Sequence, residues 1–132
     1  MKGTVPFAMN FLDFFYLKES PFGETPDTRF YFASRPHEEV LRHLFWAIDS
    51  HKGFTLVVGD AGSGKTMISR LLYDRLKEEA DFAFVLNPRL KEGELLGVIC
   101  REFGIQEVGV EALAKRLLER AEQGRRNILV VD

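Results

Sequence analysis

One cysteine, Cys100, stands among 132 residues. No internal disulfide framework can form from it, and a reducing compartment suits the chain. No run of about 18 uncharged apolar residues occurs, so no transmembrane helix is expected within the sequence. An excess of one charge sign is also missing: 18 Lys and Arg stand against 20 Asp and Glu, a formal net charge of −2. That excludes a strongly basic chain whose whole surface embraces nucleic acid, though not a local basic patch. His37, His43 and His51 have no metal-ligand partners in the sequence, and with one cysteine a zinc site is not expected. Low-complexity tracts and long internal repeats are absent. The apolar N-terminal stretch VPFAMNFLDFFYL is interrupted by Asn10 and Asp13, and no small-residue cleavage site follows. It is therefore not read as a secretory signal.

What is present is enough for a packed domain. The chain is 45% hydrophobic and 12% aromatic. Its length suits one domain or part of one, burying roughly two-thirds of the unfolded surface. Residues 1–35 form an aromatic-rich arm holding seven of the twelve phenylalanines, punctuated by Pro21, Gly23 and Pro26. These punctuators favour turns and extended pieces, and so many aromatics are expected to bury against something. From residue 36 onward strands and helices alternate. Residues 36–51 read as a helix capped by Ser34 and opened by Pro36, with Val40, Leu41, Leu44, Phe45 and Ile48 at helical spacing. Residues 54–58 (FTLVV) are an apolar, β-branched run that predicts a buried parallel strand. A helix is expected over 65–79, with Ile68, Leu71, Leu72 and Leu76 on one face. A strand at 82–86 is broken by Asn87-Pro88, and a helix over 92–103 turns Leu95, Leu96, Ile99 and Phe103 inward. A helix over 109–123 presents Leu113, Leu117 and Leu118, and residues 127–131 (NILVV) form the last strand. The class is α/β with a mostly parallel sheet. Cys100 and Trp46 are read as packing residues, and Arg120, Arg125 and Arg126 as a solvated helix end. Because a soluble domain rarely stops on a buried strand, the protein is expected to continue past Asp132.

The chemistry concentrates in Gly59-Asp60-Ala61-Gly62-Ser63-Gly64-Lys65-Thr66, which matches the G-x-x-x-x-G-K-[ST] phosphate-binding loop, or Walker A motif. Glycines allow backbone angles and close approach that a Cβ would block. Consecutive amides can then converge on phosphate oxygens, with the positive end of the next helix behind them. Lys65 reaches the β- and γ-phosphates, and the Thr66 hydroxyl ligates Mg²⁺. Average residue usage yields the pattern in roughly one chain of this length in a few hundred. The apolar strand before it and the helix after it sharpen the reading. The run ILVV-Asp132 looks like a Walker B strand spanning 127–132, whose terminal carboxylate orients the same ion.

Several blocks in order carry a resemblance. They are FLDFFYLKESPF, TPDTRFYFASRPHEEVLRHLFWAI, GFTLVVGDAGSGKT, LNPRL with ELLGVICREFGI, and GRRNILVVD. Together the chain resembles the AAA-type ATPases of the general secretion pathway protein A (ExeA) group, from about Met9 to Asp132. Such proteins begin near the FLDFF-like block, which makes Met9 a candidate start. The resemblance implies an AAA+ P-loop parallel sheet with flanking helices over residues 36–132, incomplete at its C-terminus. It implies ATP and Mg²⁺ as ligands, with Lys65 and Asp132 in the catalytic machinery. It also implies that the segment Phe30, Tyr31, Phe32, Ser34, Arg35, Pro36 and His37 helps hold adenine, which aromatic faces suit.

Further elements implied by the resemblance lie beyond Asp132. They are a water-polarising glutamate directly after it, a sensor residue, an arginine finger, a helical lid and a strand inserted between the two motif strands. The expectation is that the 132 residues alone are marginally stable and hydrolyse ATP poorly. The complete protein is expected to be a homo-oligomeric, cytoplasmic ATPase that drives secretion or cell-envelope machinery, with an inner-membrane attachment supplied by a region beyond residue 132. A TniB-like regulator of DNA transposition, with DNA as partner, is the alternative. A small-molecule P-loop kinase is more remote, because 58 residues precede the loop.

Overall fold

The computed structural model describes residues 10–21, 23, 25–86 and 89–132. The Asn87-Pro88 break, Phe22 and the candidate start at Met9 lie outside them. Helix α1 is a single turn, Phe11–Phe14, capped by the Asn10 side chain, which accepts from the Leu12 amide. A short 3-10 turn follows at Thr28–Phe30, capped by Asp27. Helix α2 spans Arg35–Asp49 with proline in its first turn. Ser34 has extended capping geometry, but its side chain makes no capping bond. The helix ends at Ser50 and His51, the latter at φ 52.

Helix α3 (Lys65–Leu76) starts directly from the glycine loop. Its Ile68 and Leu71 close on Leu41 of α2, which is fully buried. One turn later, Leu72 and Leu76 pack with Ala80 against Phe45, Ile48, Phe82 and Ile128. This second cluster ties α2 and α3 to the sheet. The sheet has two parallel strands, β1 (Ala80–Val85) and β2 (Arg126–Val131), in the register Ala80↔Arg126 through Val85↔Val131. Parallel pairing needs a crossover. Here it contains α4 (Glu92–Glu102), which packs on β1, and α5 (Val110–Glu122), which packs on β2. Cys100 and Phe103 are buried at the α4 end, as their spacing predicts.

Four sequence expectations need correction. Residues 54–58 are neither buried nor paired: Phe54, Leu56 and Val58 are 82%, 72% and 84% exposed, and the segment enters no ladder. A parallel strand is buried only when neighbours take up its amides and helices cover its faces. Among the described residues no strand lies beside 54–58 or along the outer edge of β2. These are the two segments that the resemblance placed on either side of an inserted strand. The aromatics in and just after α1 are the second correction: Phe11, Phe14, Phe15 and Tyr16 are exposed, and Phe11 and Phe14 each pack on the Phe15 ring, the latter with centroids 4.8 Å apart. Trp46 and Leu118 are likewise exposed: α2 fully buries only Leu41 and Ala47, and no residue of α5 is fully buried.

The fourth concerns the arginines. Arg120 and Arg125 are not a solvated end. Both hydrogen-bond the Asp81 carboxylate on β1, Arg120 bidentately, and Arg125 also reaches the carbonyls of Glu78 and Ala80. Arg126 pairs with Asp49 at 3.1 Å. The two guanidinium groups hold the Asp81 carboxyl below its ordinary range, with the Arg120 hydrogen bond first among the causes and burial opposing it. This hub pins the start of β1 to the end of α5 and the turn into β2.

Candidate functional site

The loop between residues 58 and 65 makes a turn closed by the Ser63 amide on the Asp60 carbonyl at 3.1 Å. Gly62 (φ 78) and Gly64 (φ 89) occupy left-handed backbone that a side chain disfavours. At Gly59 a Cβ would come within 2.7 Å of the Ser63 hydroxyl, which would have to turn away. Asp60 and Ala61 are exposed at the tip. Gly64 caps α3, and no side chain caps the helix. The first amides of α3 therefore lack intrahelical acceptors and add positive partial charge at the loop.

Lys65 folds back over the loop. Its Nζ donates to the Gly59 carbonyl at 2.9 Å and the Asp60 carbonyl at 2.8 Å. The ammonium is thus held over the loop by neutral acceptors, with no carboxylate partner among the described residues. Thr66 faces the sheet. Its hydroxyl donates to Asp132 Oδ2 at 2.6 Å, across 66 residues of sequence. Asp132 is placed by the last rung of the ladder, where its amide donates to the Val85 carbonyl at 3.0 Å. The loop's threonine and the carboxylate at the tip of β2 therefore meet. A hydroxyl and a carboxylate oxygen are the hard donor type that small divalent cations take. Among the described residues no cluster of three His, Cys, Asp or Glu side chains forms a separate metal site.

The segment before the loop is divided. Tyr31 packs on the Leu41, Ile68 and Leu71 cluster, and its hydroxyl donates to Glu38 Oε1 at 2.9 Å. Burial, then the bond to Glu38, raises its phenol above the ordinary value. His37, in the first turn of α2, lies 6.1 Å from the Tyr31 ring between centroids and touches the loop itself, Nε2 to the Ser63 carbonyl at 2.8 Å. Phe30 lies under the Arg29 guanidinium and is partly exposed, and Arg35 is exposed at the start of α2. Tyr31 and His37 thus come to the loop region, whereas Phe30 and Arg35 have no bond to it. Sequence reasoning missed the contact of His37 with Ser63, since 26 residues separate them and no spacing rule links them.

A glycine loop opening a helix, whose second residue bonds a carboxylate at the end of a parallel strand, defines an α/β P-loop domain. More narrowly, the chain belongs to the AAA domain family, which matches residues 48–132, more than half of its length. It is also similar to General secretion pathway protein A of Aeromonas hydrophila, with 36% identity over 129 residues, 92% of this chain and 24% of that protein. The chain thus spans about a quarter of that relative's length. No solved structure matches it. No helix among the described residues is long and apolar enough to cross a membrane.

Proposed function

We propose that the chain binds ATP at loop 59–66 and forms the nucleotide-binding part of an ATPase that drives secretion or cell-envelope machinery. The observation that carries this reading is the 2.6 Å contact of Thr66 with Asp132, which joins the two motifs at one point. Gly59 to Gly64 supply the backbone cradle. Lys65 exchanges the Gly59 and Asp60 carbonyls for phosphate oxygens, a stronger partner for an ammonium. Thr66 and Asp132 hold Mg²⁺, which neutralises phosphate charge when bound. Phe30, Tyr31, Arg35 and His37 are proposed around the adenine base. Hydrolysis, homo-oligomer formation, a secretion partner and a cytoplasmic location are proposed for the protein that carries the chain, in line with the name of its relative.

The test is equilibrium titration with ATP and ADP by calorimetry, beside Lys65→Ala. Binding to the parent chain and a loss of roughly a hundredfold in the variant, with its thermal midpoint kept, is the expected result. That loss is about 3 kcal/mol, the size of a hydrogen bond to a charged group. Equal affinity in both proteins overturns the reading.

A further inference from the structure

We infer that His37 is a positioning residue of the loop: its Nε2–H holds the Ser63 carbonyl and so aims the Gly64 amide at the bound phosphates. The inference rests on the proposed nucleotide site and deepens it. A carbonyl only accepts, so the 2.8 Å contact requires a proton on Nε2. Nδ1 is buried and has no hydrogen-bond partner, which is the state of the Nε2–H tautomer, whose Nδ1 carries only a lone pair. The peptide unit is planar and trans, so the Ser63 carbonyl and the Gly64 N–H point in opposite directions. Fixing that carbonyl on the α2 side turns the amide to the other side. There it has no hydrogen-bond acceptor among the described residues.

Gly64 is fitted to this arrangement. Its φ of 89 makes the loop turn where the peptide is held, and a Cβ would lie 3.1 Å from His37 Nε2 and 3.3 Å from Cε1. The ring therefore fills the space that the missing side chain leaves. His37 itself is anchored from outside the loop. It sits in the first turn of α2, whose Leu41 packs on Ile68 and Leu71 of α3, and Tyr31 flanks its ring. The helix preceding the loop thereby sets the orientation of a peptide within it.

The experiment uses the intact chain, His37→Leu and His37→Gln, with two readouts. In the free protein, long-range proton–nitrogen NMR reports the tautomer. A protonated Nε2 with an unprotonated Nδ1 is expected, and the reverse overturns the inference without any nucleotide present. The second readout is ADP affinity, with thermal midpoints measured alongside. His37→Leu is expected to bind roughly tenfold more weakly, the loss of one well-aimed donor to a charged group. His37→Gln places an amide N–H at the ε position and is expected to recover most of that loss. Equal weakening in both variants, or none in either, overturns the inference. Failure of the parent chain to bind ADP overturns the proposed function, and the tautomer still decides the hydrogen bond.

Discussion

Replacing Asp132 with asparagine keeps the shape of the side chain and removes its charge. The variant isolates what that carboxylate contributes to a divalent ion. Asp132 and its contact with Thr66 are exposed, so the water end of the dielectric scale applies. A charge of −1 at ~4 Å from a charge of +2 in bulk water contributes about 2 kcal/mol, which is roughly thirtyfold in affinity. The quantity to measure is a ratio: ADP affinity in Mg²⁺ divided by ADP affinity in EDTA, from fluorescence titration with a labelled analogue. Asp132→Asn is expected to lower that ratio by roughly thirtyfold while leaving the EDTA affinity little changed. Thr66→Val removes a neutral ligand and is expected to lower it about fivefold. The double variant should fall short of the product of the two losses if, as proposed, both groups address one ion. An unchanged ratio in Asp132→Asn would refute the assignment of this carboxylate to the metal.

Two predictions concern the framework under the site. Leu41→Ala empties the contact between α2 and α3, where Leu41 is 1% exposed. It is expected to cost about 3 kcal/mol and lower the melting temperature by about 10 °C, read by circular dichroism. Asp81→Asn breaks the hub with Arg120 and Arg125 and is expected to cost about 2 kcal/mol at neutral pH. Because the folded state lowers the Asp81 value from 3.8, its contribution is complete above that pH and drains as pH falls through the lowered value. The stability gap between parent and variant should therefore be constant from pH 7 to about 5 and narrow below about 4. A gap that stays constant down to pH 2 would contradict the hub.

Much of this structure is legible in local pattern. The glycine spacing, the four long helices and the two paired strands follow from periodicity and punctuation, with boundaries moved by at most three residues. The glycine loop and the apolar run ending in Asp132 could both be read as motifs, and Thr66 of one meets Asp132 of the other. What local pattern does not carry is partnership across the chain. FTLVV reads as buried because its residues are apolar, but burial depends on a neighbour that the run itself does not encode. Arg120 and Arg125 read as solvated because charge at a helix end usually is, and only folding brings Asp81 between them. The bond of His37 to Ser63 is of the same kind, since a histidine at the head of one helix announces nothing about a peptide in a distant loop.

The flank left open among the described residues has a consequence for behaviour at high concentration. Residues 54–58 offer five successive peptide groups and three bare apolar side chains, with no proline and no charge to interrupt them. Such a row is a template on which a second molecule can lay the same row, and short β-prone segments of this composition seed fibrils. Concentrated solutions should therefore thicken and gain thioflavin fluorescence with time. A lysine in place of Leu56 should delay both without touching the glycine loop.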